Sequence, residues 1–210
     1  MPKFSQKCKK CPRLSRFLKE VKADNPDYFA APVPPFGADD ARLLIVGLAP
    51  GMHGANRTGR PFTGDYAGVL LYETLYHFGF ANKPESIALG DGFELINCKI
   101  TNAVKCLPPQ NKPTGDEINT CNAFLKTELE EMPEGSVVIA LGSIAHNAVL
   151  KAVGVKLSQY KFGHNEKHVL PDGKILIDSY HCSRYNTQTK RLTEAMFREV
   201  FQTAKRQLEK

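Results

Sequence analysis

The chain has 210 residues, 28 of them basic and 22 acidic, for a formal net charge of +6. Apolar residues make up 42% and charged residues 24%, ordinary for a folded protein and too apolar for a disordered one. No run approaches the ~18 apolar residues of a membrane span, and the basic start Met1-Pro2-Lys3 leads into no apolar signal segment. The expectation is one domain over 1–210 in a reducing cytoplasm, with no membrane partner.

The charge gathers at the two ends. Residues 1–22 carry eight Lys or Arg against one Glu, and residues 181–210 carry seven against three. Two basic ends on a slightly acidic body suggest a polyanionic partner.

In chain order, Leu14, Phe17, Leu18 and Val21 form one apolar stripe and predict a helix over Arg13–Ala23. Pro26, Pro32, Pro34 and Pro35 make Asp24–Asp40 a loop or extended arm. Arg42–Leu48 reads as a buried strand, 49–64 as a long loop and Tyr66–Phe80 as a buried helix. Further strands are predicted at Phe93–Val104, Ser136–Gly142 and Lys174–Tyr180. Helices are predicted at Thr114–Glu131, Ser143–Val153 and Thr187–Leu208, the first opening with a Thr114…Glu117 capping box. Strands alternating with helices predict an α/β fold, a parallel sheet covered on both faces. In such sheets the ligand sits beyond the carboxyl ends of the strands. The Gly47–Asp65 loop, Asn102 and His181 all follow predicted strands, so they should share one cleft.

Six cysteines are present. Cys8-Lys-Lys-Cys11 lies before a helix rather than after a strand, which favours metal binding over redox exchange. Cys106 and Cys121 could complete a four-thiolate site, and such a site takes zinc or an iron–sulfur cluster equally well. Cys98 reads as a small core residue. Cys182 follows His181 directly, and adjacent side chains on an extended segment diverge, so the two do not form a nucleophile pair.

The richest stretch is Gly47 to Asp65, with glycines at 47, 51, 54, 59 and 64 that permit close backbone approach. Arg57 and Arg60 could meet phosphate, and Phe62 offers a face on which a base can stack. Asp65 could be an N-cap or a catalytic carboxylate. The stretch is neither a Walker A loop nor a GxGxxG fingerprint. Asn102 carries an amide suited to reading a base edge, and His181 stands in a polar loop with Ser183, Arg184 and Asn186.

Taken together, Gly-Leu-Ala-Pro-Gly at 47–51, Gly-Arg-Pro-Phe-Thr-Gly-Asp at 59–65, Thr-Asn-Ala-Val-Lys-Cys at 101–106 and His-Cys-Ser-Arg-Tyr-Asn at 181–186 resemble the uracil-DNA glycosylase superfamily. The resemblance is to its iron–sulfur branch, most of all to family 5 (type B), and runs from Cys8 to about Thr193. It implies a three-layer αβα sandwich around a four-stranded parallel sheet. It also implies a structural [4Fe–4S] cluster on Cys8, Cys11, Cys106 and Cys121, pinning an N-terminal arm. Leu48 stands where family 4 has an acid, and Cys182 replaces the proline of the family's His-Pro-Ser.

The implied activity is monofunctional excision of uracil, and of other deaminated bases, from DNA by a monomer, leaving an abasic site. The flipped base would lie against Gly47 and Phe62, with Asn102 reading its edge and His181 donating to O2. Asp65 would orient the water. Ser183 and Asn186 would complete the base site, and Arg184 and Tyr185 would press on the DNA. A basic helix from Thr187 would bring Lys190 and Arg191 to phosphates, which Arg57 and Arg60 could also meet. A uracil-specific family 4 enzyme and a non-catalytic four-cysteine metal protein binding nucleic acid are the alternatives.

Overall fold

The computed structural model describes residues 4–209; Met1-Pro2-Lys3, part of the basic start, and Lys210 lie outside the described residues. The strands are β1 (Phe36–Gly37), β2 (Leu43–Gly47), β3 (Cys98–Asn102), β4 (Val137–Leu141), β5 (Lys167–Val169) and β6 (Ile175–Ser179). They form one sheet in the order β1-β3-β2-β4-β6-β5. The inner four run parallel, as expected. Two short antiparallel edges, β1 and β5, extend the expected four strands to six. The helices are α1 (Pro12–Asp24), α2 (Ala55–Thr58), α3 (Tyr66–His77), α4 (Gly115–Glu130), α5 (Ser143–Val153), α6 (Arg184–Gln188) and α7 (Glu194–Leu208).

Strand alternation divides the core into two layers. Leu43, Ile45, Ile100, Val137, Ile139 and Ile177 pack against Leu71 and Leu75 of α3 and Phe197 and Phe201 of α7. Leu44, Val46, Val138, Ala140 and Leu176 face the other way, onto Leu125 and Leu129 of α4 and Ala145 and Val149 of α5. The crossover from β2 to β3 carries α3, and that from β3 to β4 carries α4, on the opposite face. The order of strand addition therefore reverses beside β2, which opens a crevice at the carboxyl ends of β2 and its neighbours.

Three boundaries differ from the sequence reading. Asn97 takes a left-handed φ of 49°, so the extended run begins only at Cys98; Phe93 and Leu95 reach the core from a loop. Helix α3 stops at His77, where left-handed Gly79 lets the Phe80 amide donate to the Leu75 carbonyl at 2.8 Å. The helix expected over Thr187–Leu208 is two helices. Ser183 caps α6, Thr193 caps α7, and left-handed Lys190 turns the chain so that Leu192 is buried.

The capping box at α4 is present, with Thr114 accepting from the Glu117 amide and Glu117 from the Thr114 amide. No helix among the described residues is long and apolar enough to cross a membrane.

Candidate active site

A cavity of about 560 Å³ opens at the carboxyl rim of the parallel strands. Leu48 and Gly51 line it after β2, Asn102 at the end of β3, Gly142 and Ser143 after β4, and His181 after β6; Phe62 and Asp65 enter from the glycine-rich loop.

Parallel register sets Gly47 opposite Asn102. A Cβ at Gly47 would lie 2.4 Å from Asn102 Oδ1 and 2.8 Å from the Phe62 ring, so only glycine lets these groups converge. Asn102 is 4% exposed, and its Oδ1 is buried without a hydrogen-bond partner. An unpaired buried acceptor is costly, which makes it a marker for a ligand. Phe62 holds a left-handed φ of 60°, strained for an aromatic residue. Its ring stacks against His181, with centroids 6.1 Å apart and planes 25° from parallel. Gly68 of α3 packs so close that a Cβ there would meet the Phe62 carbonyl oxygen at 2.0 Å.

Asp65 has the extended backbone of an N-cap to α3, yet its side chain makes no capping bond. The carboxylate instead turns toward α2 and accepts from the Ala55 amide at 3.4 Å. Gly51 and Gly54 form a cradle in which added Cβ atoms would fall 2.6 Å and 1.9 Å from Asp65 Oδ1. Burial raises the Asp65 pKa, outweighing the Ala55 amide and the charges of His53 and Arg57.

Burial also lowers the His181 imidazole to about 4, so the ring is neutral at pH 7. Its Nδ1 is buried without a partner. Asn186 donates from Nδ2 to the His181 carbonyl at 2.8 Å; it holds the loop rather than lining the cavity. Ser183 lines the cavity and accepts from the Asn186 amide. Cys182 is fully buried, and desolvation raises its thiol to about 12, which leaves it unreactive.

Arg57 is exposed, its Nε donating to the His53 carbonyl at 2.7 Å, and it does not line the cavity. Arg184 lines the cavity with its guanidinium 5.7 Å from the Tyr66 ring centroid, and Tyr185 is 71% exposed. Lys190 and Arg191 are exposed on the turn between α6 and α7 rather than on a helix.

Arg60 corrects the sequence expectation. It is 4% exposed, bonds Ser86 at 2.7 Å and Asp91 at 2.9 Å, and lies over the Phe36 ring. Burial alone would raise the Asp91 carboxyl. The Phe93, Ala88 and Ile87 amides and Arg60 outweigh it and hold the carboxyl well below the usual range. A guanidinium committed to this pair cannot meet phosphate.

Sequence reasoning missed Gly142, Ser143 and Ile144, and also Asn111, all of which line the cavity. The strand-end rule, applied to β4 as to its neighbours, points to the first three.

Cys8, Cys11, Cys106 and Cys121 converge in a small chamber walled by Phe4, Leu14, Val104 and Phe124. The Lys105 amide donates to Cys121 Sγ at 3.3 Å. Burial pushes the Cys11 thiol up to about 11, with Cys121, Glu117 and Cys8 adding to it, and burial likewise raises Cys106 and Cys121. Four thiolates in so apolar a chamber need a cationic centre, and the donor set fits an iron–sulfur group.

The family model described as "Uracil DNA glycosylase superfamily" matches residues 34–205. A type-5 uracil-DNA glycosylase of Thermus thermophilus is 48% identical over 95% of this chain and 93% of its own length. One from Pyrobaculum aerophilum is 42% identical over 94% and 87%. A type-4 uracil-DNA glycosylase of Sulfurisphaera tokodaii is more distant, at 28% over 94% and 80%. The chain belongs to the uracil-DNA glycosylase superfamily.

Proposed function

We propose that this chain excises uracil from DNA by hydrolysing the N-glycosidic bond, leaving an abasic site. The observation that carries the reading is the convergence of three groups on one cavity: the unpartnered Asn102 amide oxygen, the buried Asp65 carboxylate and the neutral His181 ring.

A base within a duplex is out of reach, so the nucleotide must be everted into the cavity. There Phe62 stacks on the base. Asn102 accepts from uracil N3–H and donates to O4, whereas cytosine presents the opposite pattern. As the bond to deoxyribose breaks, negative charge grows on the base, and His181 donates a hydrogen bond to O2. A neutral imidazole does this without delivering a full proton. Asp65 orients the attacking water and offsets positive charge on the sugar. Gly47 and Asn186 hold the base site from behind; Ser183, Arg184, Tyr185, Lys190, Arg191 and Arg57 meet the DNA strand. Leu48 lines the cavity where family 4 would place an acid, which leaves Asp65 as the nearby carboxylate and favours the type 5 reading. Excision extends to other deaminated bases, and one monomer acts on each lesion.

Cys8, Cys11, Cys106 and Cys121 hold a [4Fe–4S] cluster, which supplies a structural cross-link between the N-terminal arm and the segment after β3. Support comes from the donor set, four cysteines gathered in one apolar chamber walled by Phe4, Leu14, Val104 and Phe124.

Duplexes holding uracil, hypoxanthine, xanthine or thymine opposite each base test the reading. Alkali-labile abasic sites should form at uracil. No cleavage at uracil in any pairing would overturn it.

A further inference from the structure

We infer that Asn111 grips the phosphate of the everted nucleotide at the mouth of the cavity, and that the turn carrying it is built for that contact. The inference rests on the uracil-excision reading.

Asn111 is exposed and lines the cavity, whereas Asn102 lies buried at the end of β3. Among the described residues its side-chain amide has no hydrogen-bond partner. Its backbone is left-handed, at φ 56°, and so is that of Gln110, at φ 55°. Two successive residues with side chains in this region are strained, and glycine is the relaxed choice. Strain persists only where the surroundings impose it, and here they do. Pro108 and Pro109 precede the pair, and Pro113 follows it. The amides of Asn111 and Lys112 donate to the carbonyls of Pro108 and Pro109, both at 3.1 Å. Arg13 Nη2 donates to the Lys112 carbonyl at 3.1 Å, while the same guanidinium is held by Glu117 at 2.7 Å and 2.8 Å.

The position decides the ligand group. The base edge belongs to Asn102 at depth. A nucleotide entering the cavity leaves its phosphodiester at the mouth, where exposed Asn111 and Arg184 line the wall. An amide can donate two hydrogen bonds to phosphate oxygens and is not read by base sequence.

Asn111→Gly keeps the left-handed turn and deletes the amide; Asn111→Asp keeps the shape and reverses the recognition. Two readouts are used with the intact protein: anisotropy of a duplex holding an abasic site, and single-turnover uracil excision. Asn111→Gly should weaken binding about tenfold and slow excision at subsaturating enzyme by a similar factor. Asn111→Asp should bind more weakly still, with the deficit shrinking as salt rises. Melting temperatures should match or exceed the parent's. If both variants bind and excise like the parent, Asn111 serves only the turn and the proposal is overturned. A parent that excises no uracil would instead defeat the functional reading, and the binding comparison would still be readable.

Discussion

Gly54 and Asp65 occupy one another's space: a single methyl group on Gly54 would fall 1.9 Å from the Asp65 carboxylate oxygen. Gly54→Ala must therefore push that carboxylate out of its cradle. Displacement of about 1 Å at a reacting centre can cost ~10²-fold in rate. Gly54→Ala is expected to lose that much of the single-turnover excision rate while binding uracil-containing duplex nearly as the parent does. An undiminished rate would separate Asp65 from the chemistry.

The pH behaviour follows from two opposite shifts. Burial raises Asp65, so the excision rate should fall on acidification before an ordinary aspartate would titrate. Asp65→Asn should be slow at all pH values and lack that limb. His181 is lowered from 6.5 to about 4, so between these values the unfolded chain binds the extra proton. Its burial therefore costs stability as pH falls from 6.5 toward 4. His181→Gln should remove this part of the acid loss, so the parent-minus-variant difference in melting temperature should fall as pH drops from 6.5 toward 4.

Two arginines that the sequence reading assigned to DNA should behave differently. Arg60 is buried against Asp91, and removing one partner of a buried pair costs about 3 kcal/mol. Arg60→Met should lower stability by that order yet leave the salt dependence of DNA binding unchanged. Arg184→Ala should barely move stability, and should reduce the slope of log K against log salt by about one. Equal slopes for both variants would contradict the assignment.

How far the sequence alone could see is illustrated by the same residues. Four parallel strands were legible because runs such as Leu43–Gly47 are apolar on both faces. The cleft was legible because Gly47 and Asn102 end strands and His181 follows one. Arg60 was not: its burial depends on Ser86, Asp91 and Phe36, which only the fold brings together. The edges β1 and β5 span two and three residues, too few for any periodicity to register. Lys190 breaks the C-terminal helix by a left-handed backbone that its side chain does not announce. Asn111 was missed because no strand leads into it.

The four-thiol centre makes a prediction of its own. Purified protein should be brown, with broad absorbance near ~400 nm. Cys121→Ser should bleach it and lower the melting temperature. A colourless parent with one zinc per chain would replace the cluster by a single ion.

The most direct measurement is single-turnover excision from a duplex with one uracil, comparing the parent with Asp65→Ala and His181→Ala at saturating enzyme. Both variants should fold and bind the duplex within a few-fold of the parent, yet lose at least about 10²-fold in rate. Rates within twofold of the parent for either variant would contradict the account.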